Sequence, residues 1–340
     1  MDEPAFYNHS GHHAQVLPIL DRDGAEARLV IIKASYDIVP GGGLRAAEEP
    51  REIRLGDEPW GDPAIADLRL PGDYGLPKPG TDFVLSGHAV PPVGGDATAM
   101  DVGIRVRDRV KLLRVHGPRV WERHFGGIGP GKSGPLVRTP LAWSRAYGGA
   151  DFSDPAKPLE EARNPVGSGV SRHPETLVGR PAPQIETAGE AVTAAGGRHT
   201  PAGCAPLGRH FAPRRASAGT HDAAWMANAY PARPADYRPE HEHCAAPGLV
   251  FDEPLRGGEP VRIAGVHAEA LLDFALPRQL LRIDAIVDGR PDTRRPHLDT
   301  VVVDSDALML EMVWRAVFRC PPKMRGHFTS ITVQAKEYLE

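Results

Sequence analysis

Short runs of alternating apolar and polar residues, each closed by a turn rich in glycine or proline, dominate this chain and leave little room for anything but strands. Glycine and proline supply 72 of the 340 residues, about 21% against a usual ~12%, though still below the level of low-complexity disordered chains. Pro59, Pro63, Pro71, Pro77 and Pro79 crowd one stretch. Each lacks an amide donor, so no helix longer than two turns is expected there. Where the prolines thin out, Val102, Ile104 and Val106 alternate with polar or small neighbours, the period-two signature of a strand with one buried face.

The same reading extends along the chain. Val16–Leu20 and Leu29–Val39 flank Asp21-Arg22-Asp23-Gly24, whose Asp-Gly pair suits a tight hairpin, and Gly41-Gly42-Gly43 ends the second run. Further strands are expected at Asp82–Val90, Ala99–Val106 and Val110–His116, with Asp108-Arg109 as a two-residue turn. Towards the end come Leu271–Leu276, Leu280–Val287, Thr300–Val303, Leu308–Phe318 and His327–Ala335, with Asp288-Gly289 as a turn. Leu308–Phe318 also fits an amphipathic helix by residue type, but its β-branched content and neighbours favour a strand. One helix is expected, with Thr220 as N-cap, residues His221–Tyr230, Pro231 as its stop and Trp225 directed to the core. Ala188–Gly197 reads as an exposed loop.

No strand–helix–strand alternation occurs. The fold class expected is therefore mainly β, an antiparallel β-sandwich or barrel-like pair of sheets with long irregular connections and one or two short helices. The chain is long enough for one unit over 1–340, with possible β subdomains at 1–125 and 255–340 joined by a Gly/Pro-rich middle, 126–254.

Lys plus Arg number 40 and Asp plus Glu 44, a net charge of -4 without like-charge runs. Nothing in that balance favours nucleic acid or an anionic membrane. Three scattered cysteines, at 204, 244 and 320, make no disulfide framework and suit a reducing compartment. Met1-Asp2-Glu3-Pro4 lacks the basic and apolar segments of a secretion signal, and no apolar run approaches the ~20 residues of a membrane span. A cytoplasmic location is expected.

Gly126-Gly127-Ile128-Gly129-Pro130-Gly131-Lys132-Ser133 matches the phosphate-loop pattern G-x-x-x-x-G-K-S. That chemistry needs a helix starting at Lys132 to supply amides and its positive dipole end. Gly134, Pro135 and Pro140 oppose one, so a Gly-rich strand connection is the expected role. His241, Glu242, His243 and Cys244 form the best metal-like cluster, with Cys204, His199 and His210 as remote contributors, but no repeated ligand spacing accompanies them. A polar loop is expected there. His9, His12 and His13 read as a polar end. No G-x-S-x-G elbow or H-E-x-x-H occurs, and no cofactor is implied.

Two units share the pattern Trp-x-Arg-x-aromatic-Gly-Gly. Trp121, Arg123 and Phe125 precede Gly126-Gly127; Trp143, Arg145 and Tyr147 precede Gly148-Gly149. On a strand each trio would share one face, placing Arg between two rings and within reach of an acid such as Asp151. The units read as sheet corners stabilising the fold or as an aromatic–arginine surface for a partner.

The run from Pro140 to Asp151, followed by Asn164-Pro165-Val166-Gly167-Ser168-Gly169, resembles a family of uncharacterised-function domains found with bacterial type VI secretion genes. Pro18–Gly24 with Ile32–Asp37 is similar to that family's opening hairpin; Pro206–Arg214, Ala218–Trp225 and Leu255–Val261 agree in order, and Gly248-Leu249-Val250 departs from an Asp-Gln pair usual there. The resemblance implies a non-enzymatic adaptor or chaperone-like accessory protein whose partner is a secretion effector, the valine-glycine-repeat spike, or its tip protein. A nucleotide- or metal-dependent enzyme using Gly126–Ser133 or His241–Cys244 is the alternative.

Overall fold

The computed structural model describes residues 3–61, 67–319 and 328–336, so Pro63, Cys320 and His327 lie outside the described residues. The chain is mainly β, with several sheets and, among the described residues, no closed barrel. In the seven-stranded sheet the path runs Val250–Phe251, Thr81–Ser86, Leu298–Asp304, Met309–Arg319, Glu26–Val39, His13–Leu20, and Gly43–Ala46 adds to Glu26–Val39. Strands from the two ends of the chain thus lie side by side. A five-stranded sheet follows the order Ile185–Thr187, Arg109–His116, Ala99–Val106, Pro260–Ala264, Leu272–Ala275. A four-stranded sheet follows Ala5–His9, Phe328–Lys336, Leu280–Val287, Arg290–Arg294.

Period-two alternation explains the core. Val30 and Ile32 from the largest sheet, Val102 and Ile104 from the second, and Ile283 and Ile331 from the third belong to one buried apolar cluster. Burial of such side chains is worth about 1.5–3 kcal/mol each. Among the described strands pairing is mostly antiparallel, but three strand pairs are parallel: Thr81–Ser86 with Leu298–Asp304, Ala5–His9 with Phe328–Lys336, and Tyr147–Gly148 with Ser168–Gly169. Parallel neighbours need a long crossover, which the intervening chain supplies.

The opening hairpin forms as its turn residues dictate. Leu20 faces Glu26 across it, and Asp21 Oδ1 accepts from the amides of Asp23 (2.8 Å) and Ala25 (2.9 Å). The turn between Ala99–Val106 and Arg109–His116 falls one residue earlier than expected, on Arg107-Asp108, with Arg107 at φ 55°. Met309–Arg319 is a strand. The expected helix is shorter, Ala223–Asn228, and Asp222 caps it by accepting from the Trp225 amide at 2.8 Å. Thr220 turns instead to Asp236. Trp225 remains half-buried at the surface, edge-on to His221 and Tyr230.

Cys204 and Cys244 are buried in the core, and burial pushes their thiols up to about 12 and about 11. Little thiolate is therefore present near neutral pH. In a Cys320→Ser variant, a thiol reagent at pH 8 should modify neither cysteine until denaturant is added, then both; rapid native labelling would contradict this burial.

Candidate functional site

The motif residues converge on one buried knot. Asn164, fully buried, donates through Nδ2 to the carbonyls of Trp143 and Tyr147, each at 2.9 Å, while its own carbonyl accepts from the Gly149 amide at 2.8 Å. Tyr147 and Gly148 then pair in parallel with Ser168 and Gly169. Pro165 and Gly167 lie in the turn between, where Gly167 N points back to the Asn164 carbonyl. Close approach demands glycine: a methyl on Gly148 would fall 2.2 Å from Asn164 O, and one on Gly169 (φ 128°) 2.7 Å from the Tyr147 ring. Trp143 donates to Ala205 O (2.9 Å), and Trp121 to Ser168 Oγ (3.3 Å).

The two Trp-x-Arg-x-aromatic units do not fold alike, which overturns the shared-face expectation. The second is not a strand. Trp143–Arg145 forms a short 3-10 turn because Ser144 N goes to the Asp67 carboxylate (2.7 Å), the amides of Arg145 and Ala146 bond back to Ala142 and Trp143, and Asn164 captures the flanking carbonyls. Trp143 and Tyr147 are buried, whereas Arg145 is exposed and bonds Gln184 at 3.1 Å. Asp151 pairs with none of these; it accepts from the amides of Arg172 (2.7 Å) and Ser153 (2.8 Å), which hold its carboxyl well below the usual range.

The first unit is a hairpin, Trp121–His124 against Gly127–Pro130, turning at Phe125-Gly126. Trp121 is 0% exposed at its root and Phe125 112% exposed at its tip. Arg123 is exposed two residues along the same strand as Trp121, while Phe125 lies in the turn, so the trio runs from the hairpin's root to its tip.

The phosphate-loop match has no helix behind it. Gly127–Pro130 is a strand, and the amides of Gly131 and Gly134 are spent on the carbonyls of Val120 (2.7 Å) and Pro118 (2.8 Å). Lys132 is exposed. Ser133 Oγ lies 3.3 Å from His116 Nδ1, and His116 Nε2 lies 2.5 Å from Glu186 Oε1. That order is the one a nucleophile, base and acid would take. Here Arg119 and the Val192 amide occupy the second Glu186 oxygen, and the series fastens the edge strand Ile185–Thr187 to the end of its neighbouring strand at His116 and to Ser133.

The metal-like cluster is also dispersed into separate bonds. His241 Nδ1 meets Arg214 O (2.9 Å), Glu242 accepts from the Tyr237 hydroxyl (2.9 Å), and His243 Nδ1 meets Asp82 (2.7 Å). Among the described residues no group of three or more His, Cys, Asp or Glu is placed to hold a metal ion.

Sequence reasoning missed the most densely charged region. One face of the seven-stranded sheet carries the apolar cluster; the opposite face carries buried ions beneath the irregular segments 51–79 and 236–247. Lys33 pairs with Asp73 (2.9 Å) and Glu311 (2.7 Å), all at most 2% exposed, and Arg54 reaches Glu311 at 3.1 Å. Lys78 pairs with Asp82 (2.7 Å) and donates to Thr300 (2.6 Å), and Arg315 pairs with Asp299 (2.9 Å). The available signal was charge set between apolar neighbours in the middle of a strand: Lys33 in one, Glu311 and Arg315 in another.

Burial alone would raise these carboxyls, but Lys78 and His243 hold Asp82, and Lys33 and Arg54 hold Glu311, below the usual range. Each therefore binds protons more weakly folded than unfolded, so its stabilisation is complete above the unfolded values of about 4 and is lost as pH falls through the folded ones. Urea midpoints should stay level from pH 7 to about 5 and fall steeply below about 4; a midpoint unchanged down to pH 3 would contradict the pairing.

No helix among the described residues is long and apolar enough to cross a membrane. Neither the curated proteins nor the solved structures contain a match to the chain. Residues 23–315 match the family described as "Uncharacterized protein conserved in bacteria (DUF2169)". That span takes in the second strand of the opening hairpin, the buried knot and the ionic layer, and the chain belongs to this bacterial family.

Proposed function

We propose that this chain is a non-enzymatic adaptor or chaperone-like accessory protein of a type VI secretion system, binding an effector, the valine-glycine-repeat spike or its tip protein before secretion. The observation that carries the reading is the Trp121–Pro130 hairpin, which presents a fully exposed Phe125 on a root anchored by a fully buried Trp121. An aromatic held out on a rigid element is the usual anchor of a protein interface, since its burial on binding costs little conformational freedom. Arg123 beside it, and Arg145 on the neighbouring turn, add guanidinium groups to the same chain region. The residues behind the family likeness, Trp143, Tyr147, Asn164 and Gly169, are buried and hold loops in place, which suits a scaffold that recognises by shape.

Co-expression with each effector, spike and tip protein encoded beside this gene tests the reading. A stable complex with one of them, surviving affinity capture and gel filtration, is expected. Failure with every one of them would overturn it.

A further inference from the structure

The four-stranded sheet ends in Ala5–His9, which pairs in parallel with Phe328–Lys336 from Ala5↔Ser330 to His9↔Gln334. No described residue pairs with its other side, and all five residues are exposed. An open strand edge is a template for another chain, and proteins blunt such edges with prolines, charges or shortness.

The other end strands of the three large sheets are blunted. Arg290–Arg294 carries Pro291 and three charges, and His13–Leu20 carries Pro18. Val250–Phe251 has two residues and Ile185–Thr187 three. Leu272–Ala275 has four, with Asp273 paired to Arg262. Ala5–His9, with sequence AFYNH, has no proline and no Lys, Arg, Asp or Glu.

This edge is also held ready. Asn8 Oδ1 accepts from Ser10 N (3.1 Å) and Oγ (2.7 Å), and its Nδ2 donates to His12 O (2.7 Å). Those bonds fix the corner where the strand leaves the sheet, so little ordering is left for a ligand to impose. Phe6 faces Ile331, which is 0% exposed, and so stands at the rim of the core while remaining 36% exposed itself.

We infer that Ala5–His9 receives an uncharged extended segment of a partner protein as an added strand, with an apolar side chain of that segment covering Phe6. This deepens the binding reading above and rests on it. A second folded copy fits less well. A five-residue ladder is about 17 Å long and, at roughly 10 Å of sheet thickness, offers ~170 Å² per partner, against the ~800 Å² of a stable complex between folded proteins. A peptide strand needs only the main-chain ladder and one or two side-chain pockets.

Panning a phage-displayed random heptapeptide library on the full chain tests the inference. Enriched peptides should be uncharged with alternating apolar residues, should slow amide exchange at residues 5–9, and should lose at least about tenfold in affinity for F6K/Y7K. The control Leu280→Lys, on the same sheet away from this edge, should bind as the unmodified chain does. No enrichment, equal binding to F6K/Y7K, or protection confined to other residues would overturn the inference while leaving recognition through Phe125 to be judged by its own variant. A dimer in sedimentation that F6K/Y7K dissociates would assign the edge to a second copy and equally overturn it. Should F6K/Y7K fail to fold, exchange protection on the unmodified chain decides alone.

Discussion

Asp82→Ala is expected to lower the unfolding free energy by about 3–5 kcal/mol, the range for removing one member of a buried ion pair. Asp82 lies on the polar face of the largest sheet with its side chain 0% exposed, 2.7 Å from the Lys78 ammonium. It also accepts from the amides of Cys244 (2.6 Å) and Ala245 (3.1 Å) and pairs with His243 (2.7 Å). Removing it strands a cation and two amide donors together. Asp82→Asn keeps an acceptor for the amides but not the charge, so an intermediate loss is expected. Urea unfolding followed by tryptophan fluorescence measures both; an unchanged midpoint for Asp82→Ala would show that the ionic layer contributes nothing net.

Asn164→Asp should be more damaging than Asn164→Ala. The alanine leaves the Trp143 and Tyr147 carbonyls without the side-chain donor that now bridges them at 2.9 Å, a loss of about 2–4 kcal/mol counting the cavity. The aspartate is nearly the same shape but places a buried carboxylate against two neutral carbonyl oxygens. The expected order of midpoints is Asn, then Ala, then Asp, at pH 7. Equal midpoints for Asn and Asp would mean that the amide's donors are not what holds the knot.

Elements governed by local alternation were legible in the sequence. Val102, Ile104 and Val106 are all buried, and the strand through Glu311 and Arg315 was recognisable from its β-branched and aromatic content. The Asp21–Gly24 turn was equally plain, because Asp21 caps its own loop. What stayed hidden depends on side-chain partners that local alternation does not reveal. Lys33 is explained by Asp73 and Glu311, and Asp82 by Lys78 and His243; Asp73, Lys78 and His243 come from segments with no periodicity, and Glu311 from a neighbouring strand. The two Trp-x-Arg-x-aromatic units carry the opposite lesson. Identical spacing yields a hairpin at Trp121 and a 3-10 turn at Trp143, because Asp67 and Asn164 engage the second backbone and no such groups engage the strand at Trp121. Asn164 itself was recognised as part of a motif, but its hydrogen bonds were not foreseeable from spacing.

The central claim, recognition by an exposed aromatic on a locked scaffold, is tested most directly by titrating the co-purifying partner against the unmodified chain and Phe125→Ser. Phe125 is 112% exposed and contributes nothing to the core, so its loss should leave the urea midpoint unchanged. Affinity should fall by at least about tenfold, since an interface anchor is worth ~2 kcal/mol or more. Equal affinity of the two proteins for that partner would contradict the account.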